Sequence, residues 1–167
     1  MVRHRVRWVE SGGGPLIAVP ETVLPFWAGA DGDETASDYD RACDIDGPVG
    51  LLPVGDSAAL VLGDEPAATA YLPDHGTFVR WCAADSEAEL LSGVPAALDA
   101  AEWGEEVRWK VPGPVFLFDS AWPGTETARA APLCVTLTPG AYGVRAAWVR
   151  PGPETWLGLV RLRALAG

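Results

Sequence analysis

The sequence predicts a mainly β, α+β chain: an antiparallel sandwich or open barrel, one domain over residues 1–167, with one short helical insertion near 86–103. Three observations carry this expectation. Apolar residues alternate with polar ones at period two through much of the last third, over 107–111, 133–138 and 156–163. Two Val- and Leu-rich runs, Val49–Val54 and 58–62, flank Gly55, Asp56 and Ser57, residue types that supply the turn conformations β-branched residues resist. Only the stretch opening at Ser86 carries helix-boundary signals over a sizeable length. A chain of 167 residues buries roughly 70% of its unfolded surface, enough for a core without disulfide or metal staples.

From the N-terminus, Arg3, Arg5 and Arg7 alternate with His4, Val6 and Trp8, which predicts a half-buried strand over 3–10. Gly12, Gly13, Gly14 and Pro15 make a turn, and 16–19 return as the partner strand. No lysine and Ser/Thr on a helix follow the triple glycine, so it reads as a hairpin loop and not as a phosphate cradle. Pro20 and Pro25 limit the next stretch to one helical turn carrying Val23, Leu24, Phe26 and Trp27. After an acidic loop over 28–37, Ser37 is a good N-cap with Asp40 three positions on. The pair starts a helix of one or two turns, which Gly47 and Pro48 stop. Beyond the 49–62 hairpin comes a short strand over 68–72, a turn at Asp74, His75 and Gly76, and a strand over 77–83.

Ser86 and Glu89 hold capping-box positions ahead of Leu90 and Leu91. Gly93, Val94 and Pro95 break this helix, and Pro95 begins a second one over 96–103, with Leu98 toward the sheet and Glu87, Glu89, Asp99 and Glu102 toward water. Val107, Trp109 and Val111 mark one face of a strand, whereas 115–118 is apolar on both faces, as in a strand covered on each side. Leu133, Val135 and Leu137 pair across Pro139-Gly140 with Tyr142, Val144, Ala146 and Trp148 in an expected hairpin. A corner at 151–153 leads to a closing strand with Trp156, Val160 and Leu162 inside and Arg161 and Arg163 outside. Several of the eight tryptophans hold inward strand positions, so core packing accounts for them before any ligand cage does.

The net charge of -11 is unevenly placed. Residues 31–106 hold 18 of the 23 acids and only Arg41 and Arg80 of the 12 bases, so that segment carries -16 and the remainder +5. A field of this asymmetry steers a basic partner and repels nucleic acid, whose phosphates need clustered Lys and Arg. The plainer reading is that the acids keep the protein soluble. No apolar run approaches the ~20 residues that span a bilayer. No apolar stretch of signal-peptide length follows the N-terminal arginines, so a cytoplasmic protein without membrane contact is expected. Cys43, Cys82 and Cys134 are odd in number and widely spaced, which favours free thiols; Cys82 and Cys134, on predicted strands, read as small hydrophobes.

The candidate chemistries fail on spacing. Asp31-Gly32-Asp33 begins like a calcium loop, but Ala36 stands where the glycine belongs and Ala42 where the bidentate acid belongs, so no metal is expected. His75 on a turn and Cys43 lack any flanking thiol-protease signature. With no triad, metal spacing or dinucleotide loop, neither catalysis nor a cofactor is expected.

The blocks SDYDRACDIDG, VGLLPVG, ALVLGDEP, FVRWCAADSEAELL and ETWLGLVRL, with the opening WVESGGGPLIAVPE, span about 8–162. In that order they resemble immunity protein family twenty-one of bacterial polymorphic toxin systems. The resemblance implies a cytoplasmic protein that binds and neutralises a toxin through a stoichiometric complex. It carries no catalytic residue to transfer. On that reading Asp31, Asp33, Glu34, Asp38, Asp40, Asp44 and Asp46 supply electrostatic complementarity to a cognate toxin, with Trp27 and Tyr39 as aromatic anchors. The rival classes are a small-molecule-binding or catalytic β domain, and a structural scaffold.

Overall fold

Five consecutive apolar residues, Leu16–Pro20, form β1, and all five are buried. A strand apolar on both faces needs a partner at each edge and cover on each side, and β1 has all four. The structure is a computed structural model that describes residues 6–31, 37–63 and 65–166. After β1 come a 3-10 turn over Glu21–Phe26, helix α1 (Asp38–Cys43), and strands β2 (Val49–Val54), β3 (Ser57–Leu62), β4 (Ala68–Leu72) and β5 (Thr77–Ala83). Helices α2 (Glu87–Ser92) and α3 (Val94–Ala100) precede β6 (Val107–Val111) and β7 (Val115–Asp119). A 3-10 segment over Gly124–Ala130 leads to β8 (Leu133–Val135), β9 (Gly140–Gly152) and β10 (Thr155–Ala164).

The strands form two five-stranded sheets, ordered β2-β3-β1-β7-β8 and β4-β5-β10-β9-β6. Every pairing between neighbours is antiparallel. With 43% strand and 21% helix among the described residues the chain is mainly β, and the two sheets are sandwich-like and not a closed barrel. Leu16, Leu60, Leu117, Phe78, Trp109, Val144 and Val160 fill the space between the sheets. The outer face of the first sheet carries Ile17, Val19, Val61 and Phe118 under Val23, Trp27 and Ala42. The outer face of the second carries Val79, Leu157 and Leu159 under Leu90, Val94 and Ala97 of α2 and α3.

Two buried polar side chains tie the sheets together. The Trp109 indole N–H donates to the Ala58 carbonyl at 2.8 Å. Arg80 of β5, 1% exposed, donates to the Gly63 carbonyl at 2.6 Å and to the Glu65 carbonyl, just past the end of β3. Its guanidinium also lies over the Trp148 ring.

Several expectations need correcting. Residues 1–5 lie outside the described residues, and within 6–10 only Val9 bridges, to Thr69. The anticipated hairpin between 3–10 and 16–19 does not form, because β3 and β7 occupy both edges of β1. The triple glycine instead connects the vicinity of one sheet to the centre of the other. The hairpin across Pro139-Gly140 is likewise a crossing between sheets: β8 pairs with β7, and β9 with β10 and β6. Residues on both sides of the crossing face the same inter-sheet core, so their alternation looks the same as a hairpin's. The Tyr142 hydroxyl, donating to the Thr138 carbonyl at 2.7 Å, pins the crossing. Residues between β7 and β8 are helical or irregular and not strand. Val94 and Ala97, more than Leu98, carry the buried face of α3. All three cysteines are free, but Cys134 is exposed on β8 and so is not a buried hydrophobe.

Candidate functional site

The acidic helix α1 is built as the local sequence dictates. The Ser37 hydroxyl accepts from the Asp40 amide at 3.1 Å while the Asp40 carboxylate accepts from the Ser37 amide at 3.1 Å, a reciprocal cap that satisfies two otherwise orphaned donors. Ala42 is buried against the outer face of the first sheet, and Ile45 packs beside it. Gly50 accommodates Ile45: a Cβ there would stand 2.6 Å from the isoleucine Cγ2. The Tyr39 amide donates to the Gly29 carbonyl at 3.0 Å, and the Tyr39 ring lies where a side chain on Gly14 would be.

Glycine is thus required at Gly14 for close approach. Gly13, Gly14, Tyr39, Cys43, Ile45 and Glu65 are among the residues lining a cleft of about 240 Å³ beside α1. The Tyr39 hydroxyl is raised above the ordinary phenol range, first by its hydrogen bond with Cys43, then by burial and by the charge of Cys43, Asp119 and Asp40. The phenol is therefore neutral at physiological pH, available as a hydrogen-bonding rim group.

The nine expected contact residues divide into groups. Asp33 and Glu34 lie outside the described residues. Asp38 turns inward: its carboxylate accepts from the Ala28 amide at 2.8 Å and pairs with Arg41. Asp40 is exposed but committed to the cap. Asp31, Asp44 and Asp46 are exposed and have no ion-pair partner among the described residues. Asp44 is also the C-cap residue of α1, the end where a carboxylate opposes the helix dipole at a cost of up to roughly 0.3–1 kcal/mol.

Trp27 is a correction. It is 1% exposed, and its indole N–H donates to the Ser120 carbonyl at 3.0 Å. A satisfied indole in the core beneath the first sheet is not a surface anchor. Its short helical turn, bounded by prolines, gave no period from which to tell inside from outside. Phe26, its neighbour, is the exposed aromatic, at 66%.

Glu65 and Asp119 also belong to the neighbourhood of α1 and carried no sequence signal. Glu65 lines the cleft, and Arg80 of the opposite sheet holds the Gly63 and Glu65 carbonyls beside it. Asp119 accepts from the Gly12 amide at 2.9 Å and the Ala121 amide at 3.0 Å, which fixes the glycine loop beside the helix. The triple glycine was a visible signal whose meaning, room for Tyr39, appears only in three dimensions.

Among the described residues no three His, Cys, Asp or Glu side chains gather as metal ligands would. His75 is exposed on the turn after β4. No described helix is long and apolar enough to cross a membrane.

No curated protein and no solved structure matches the chain. A family model does, over residues 7–155, which take in α1, its cleft and nine of the ten strands complete. The chain therefore belongs to the family described as Immunity protein 21.

Proposed function

We propose that the protein neutralises a cognate toxin by forming a stoichiometric complex, and that the acidic surface around α1 makes the contact. Family membership supports the immunity role and points away from an enzyme. The observation that carries the choice of surface is the state of its carboxylates. Asp31, Asp44 and Asp46 are exposed with no cationic partner among the described residues, and Asp44 stands at the helix end that disfavours it. Charge kept where it costs local stability fits a role outside the fold. The half-buried Tyr39 at the rim of the adjacent cleft supplies the aromatic contact, and Asp33 and Glu34 extend the acidic run in sequence. A basic toxin surface would meet this site with steered association, above the ~10⁵ to 10⁶ M⁻¹s⁻¹ of unsteered pairs.

The test is co-expression with the toxin encoded beside this gene, followed by stopped-flow association of the two purified proteins. Growth rescue is expected, with an association rate that falls steeply as salt rises. Asp44→Asn/Asp46→Asn, which spares the Ser37 N-cap and the Asp38 latch, should slow association and weaken affinity by roughly 1–4 kcal/mol with a melting temperature that does not fall and rises slightly as Asp44 no longer opposes the helix dipole. Failure to rescue with both proteins soluble refutes the immunity role. Rescue with unchanged association in the double variant refutes only the choice of surface.

A further inference from the structure

Five of the ten bases outside the acidic segment share one surface. On the outer face of the second sheet, β6, β9 and β10 lie side by side with Arg145 directly opposite Arg161, and with Gly143 opposite Arg163 on one side and Arg108 on the other. Lys110, opposite Ala141, shares that face. Helices α2 and α3 cover the part of the face formed by Val79, Leu157 and Leu159, while Arg108, Lys110, Arg145 and Arg163 remain exposed. Five cations thus line the uncovered part, and among the described residues they make one ion pair, with Glu106 Oε1 3.9 Å from Arg145 Nε. Like charges directly across a strand pair destabilise a sheet. Their retention in a protein of net charge -11 needs a reason other than solubility.

We propose that this face is a docking surface for an acidic segment of a partner protein, whose carboxylates seat between Arg145, Arg161 and Arg163. The chain itself demonstrates the chemistry: Gly143 has no side chain, and the Glu106 carboxylate lies over it. Around that point Glu106, Gly143, Arg145, Arg161 and Arg163 line a notch of about 120 Å³, which fits one carboxylate at a time. Arg161 is held in place by stacking on Trp103, 4.2 Å from the ring centroid, so its guanidinium is positioned before any ligand arrives. Burial, then the proximity of Arg163 and Arg145, lowers the Arg161 pKa. A long polyphosphate is the poorer occupant. The overall negative charge repels it at a distance, whereas a few carboxylates on an otherwise neutral or basic partner feel mainly the local patch. The surface is separate from the acidic one at α1, and its proposal does not depend on the toxin reading.

The experiment is fluorescence anisotropy of a labelled octaglutamate peptide titrated with the whole protein at low and moderate salt. The wild type should bind, more weakly as salt rises. Arg145→Gln/Arg163→Gln replaces two exposed side chains and should weaken binding by about 10-fold or more with no fall in melting temperature, since it relieves the cross-strand repulsion. Glu106→Gln should tighten binding by removing the internal competitor, a direction that mere structural support of the sheet does not predict. Asp44→Asn/Asp46→Asn should not weaken it. The proposal is overturned if the wild type fails to bind the peptide, or if the arginine variant binds as the wild type does. It is also overturned if a single-stranded oligonucleotide of equal charge binds the same arginines more tightly. Wild-type dimers in sedimentation that the arginine variant abolishes would name a second copy of this chain as the occupant instead.

Discussion

Asp38→Ala should loosen the acidic helix from the rest of the protein, and the structure gives the size of the effect. The Asp38 side chain is 15% exposed, accepts a 2.8 Å hydrogen bond from the Ala28 amide, and pairs with Arg41 one turn on. Losing the backbone contact costs about 1 kcal/mol. The partly exposed ion pair adds roughly 0–1 kcal/mol. A carboxylate in the first helical turn contributes roughly 0.3–1 kcal/mol through the dipole. The three overlap, and a total of about 2 kcal/mol is reasonable, equivalent to a drop in melting temperature of about 4–8 °C for a chain of this size. Thermal melts followed by circular dichroism measure it, and hydrogen exchange at the Ala28 amide localises it. The same variant tests whether Asp38 serves a partner or its own fold. An unchanged melting temperature with unchanged protection at Ala28 would show that the latch contributes nothing, and Asp38 would return to the list of available contact residues.

Gly14→Ala should cost about 1–3 kcal/mol, because the added methyl overlaps the Tyr39 ring; Gly14→Ala/Tyr39→Ala should be destabilised by less than the sum of its single changes, as a double-mutant cycle by chemical denaturation will show. Burial pushes the Cys82 thiol up to about 11, against an ordinary value of 9.0. The unfolded chain therefore ionises first, so the stability tied to Cys82 is intact below pH 9 and lost between about 9 and 11. Cys82→Ala should flatten the wild-type stability profile over that window in urea titrations. If the two profiles fall in parallel, Cys82 is not the group responsible. Thiol labelling of the native protein at pH 8 should modify exposed Cys43 and Cys134 well before Cys82, as mass spectrometry would report; a Cys43 to Cys82 disulfide would refute the placement of both.

What could be read from the chain follows from the range of the interactions involved. The α1 cap was legible because Ser37 and Asp40 are neighbours. So was the β2-β3 hairpin, although Ser57 joins β3 and leaves a two-residue turn in which Gly55 takes a φ of +58°. The two-faced burial of β7 was legible from its unbroken apolar run. The partners of β1 were not, since β3 and β7 lie far along the chain and no local pattern names them. Burial of Trp27 and inward anchoring of Asp38 were hidden for the same reason: each depends on a backbone group brought near by the fold. The basic sheet face was present in the sequence only as scattered arginines, because cross-strand register decides which of them are neighbours.

Two sheets that do not close on each other leave, among the described residues, four edge strands with no neighbouring strand on one side, and each could recruit a strand from another molecule. The chain blocks these sites by different means. On β2 the exposed Pro53 removes a donor from the row. On β8 the strand is three residues long, too short to template much of a ladder. On β4 Val9 donates its amide to the Thr69 carbonyl and accepts from the Thr69 amide, occupying part of the edge from within. On β6 the solvent-facing Arg108 and Lys110 place like charges where an identical strand would have to lie in register. An open sandwich stays free of edge-to-edge association only if its borders are unattractive to copies of itself. Pro53 therefore guards its edge without contributing to the core, whereas Val9, 3% exposed, guards the edge of β4 and packs between the sheets at once.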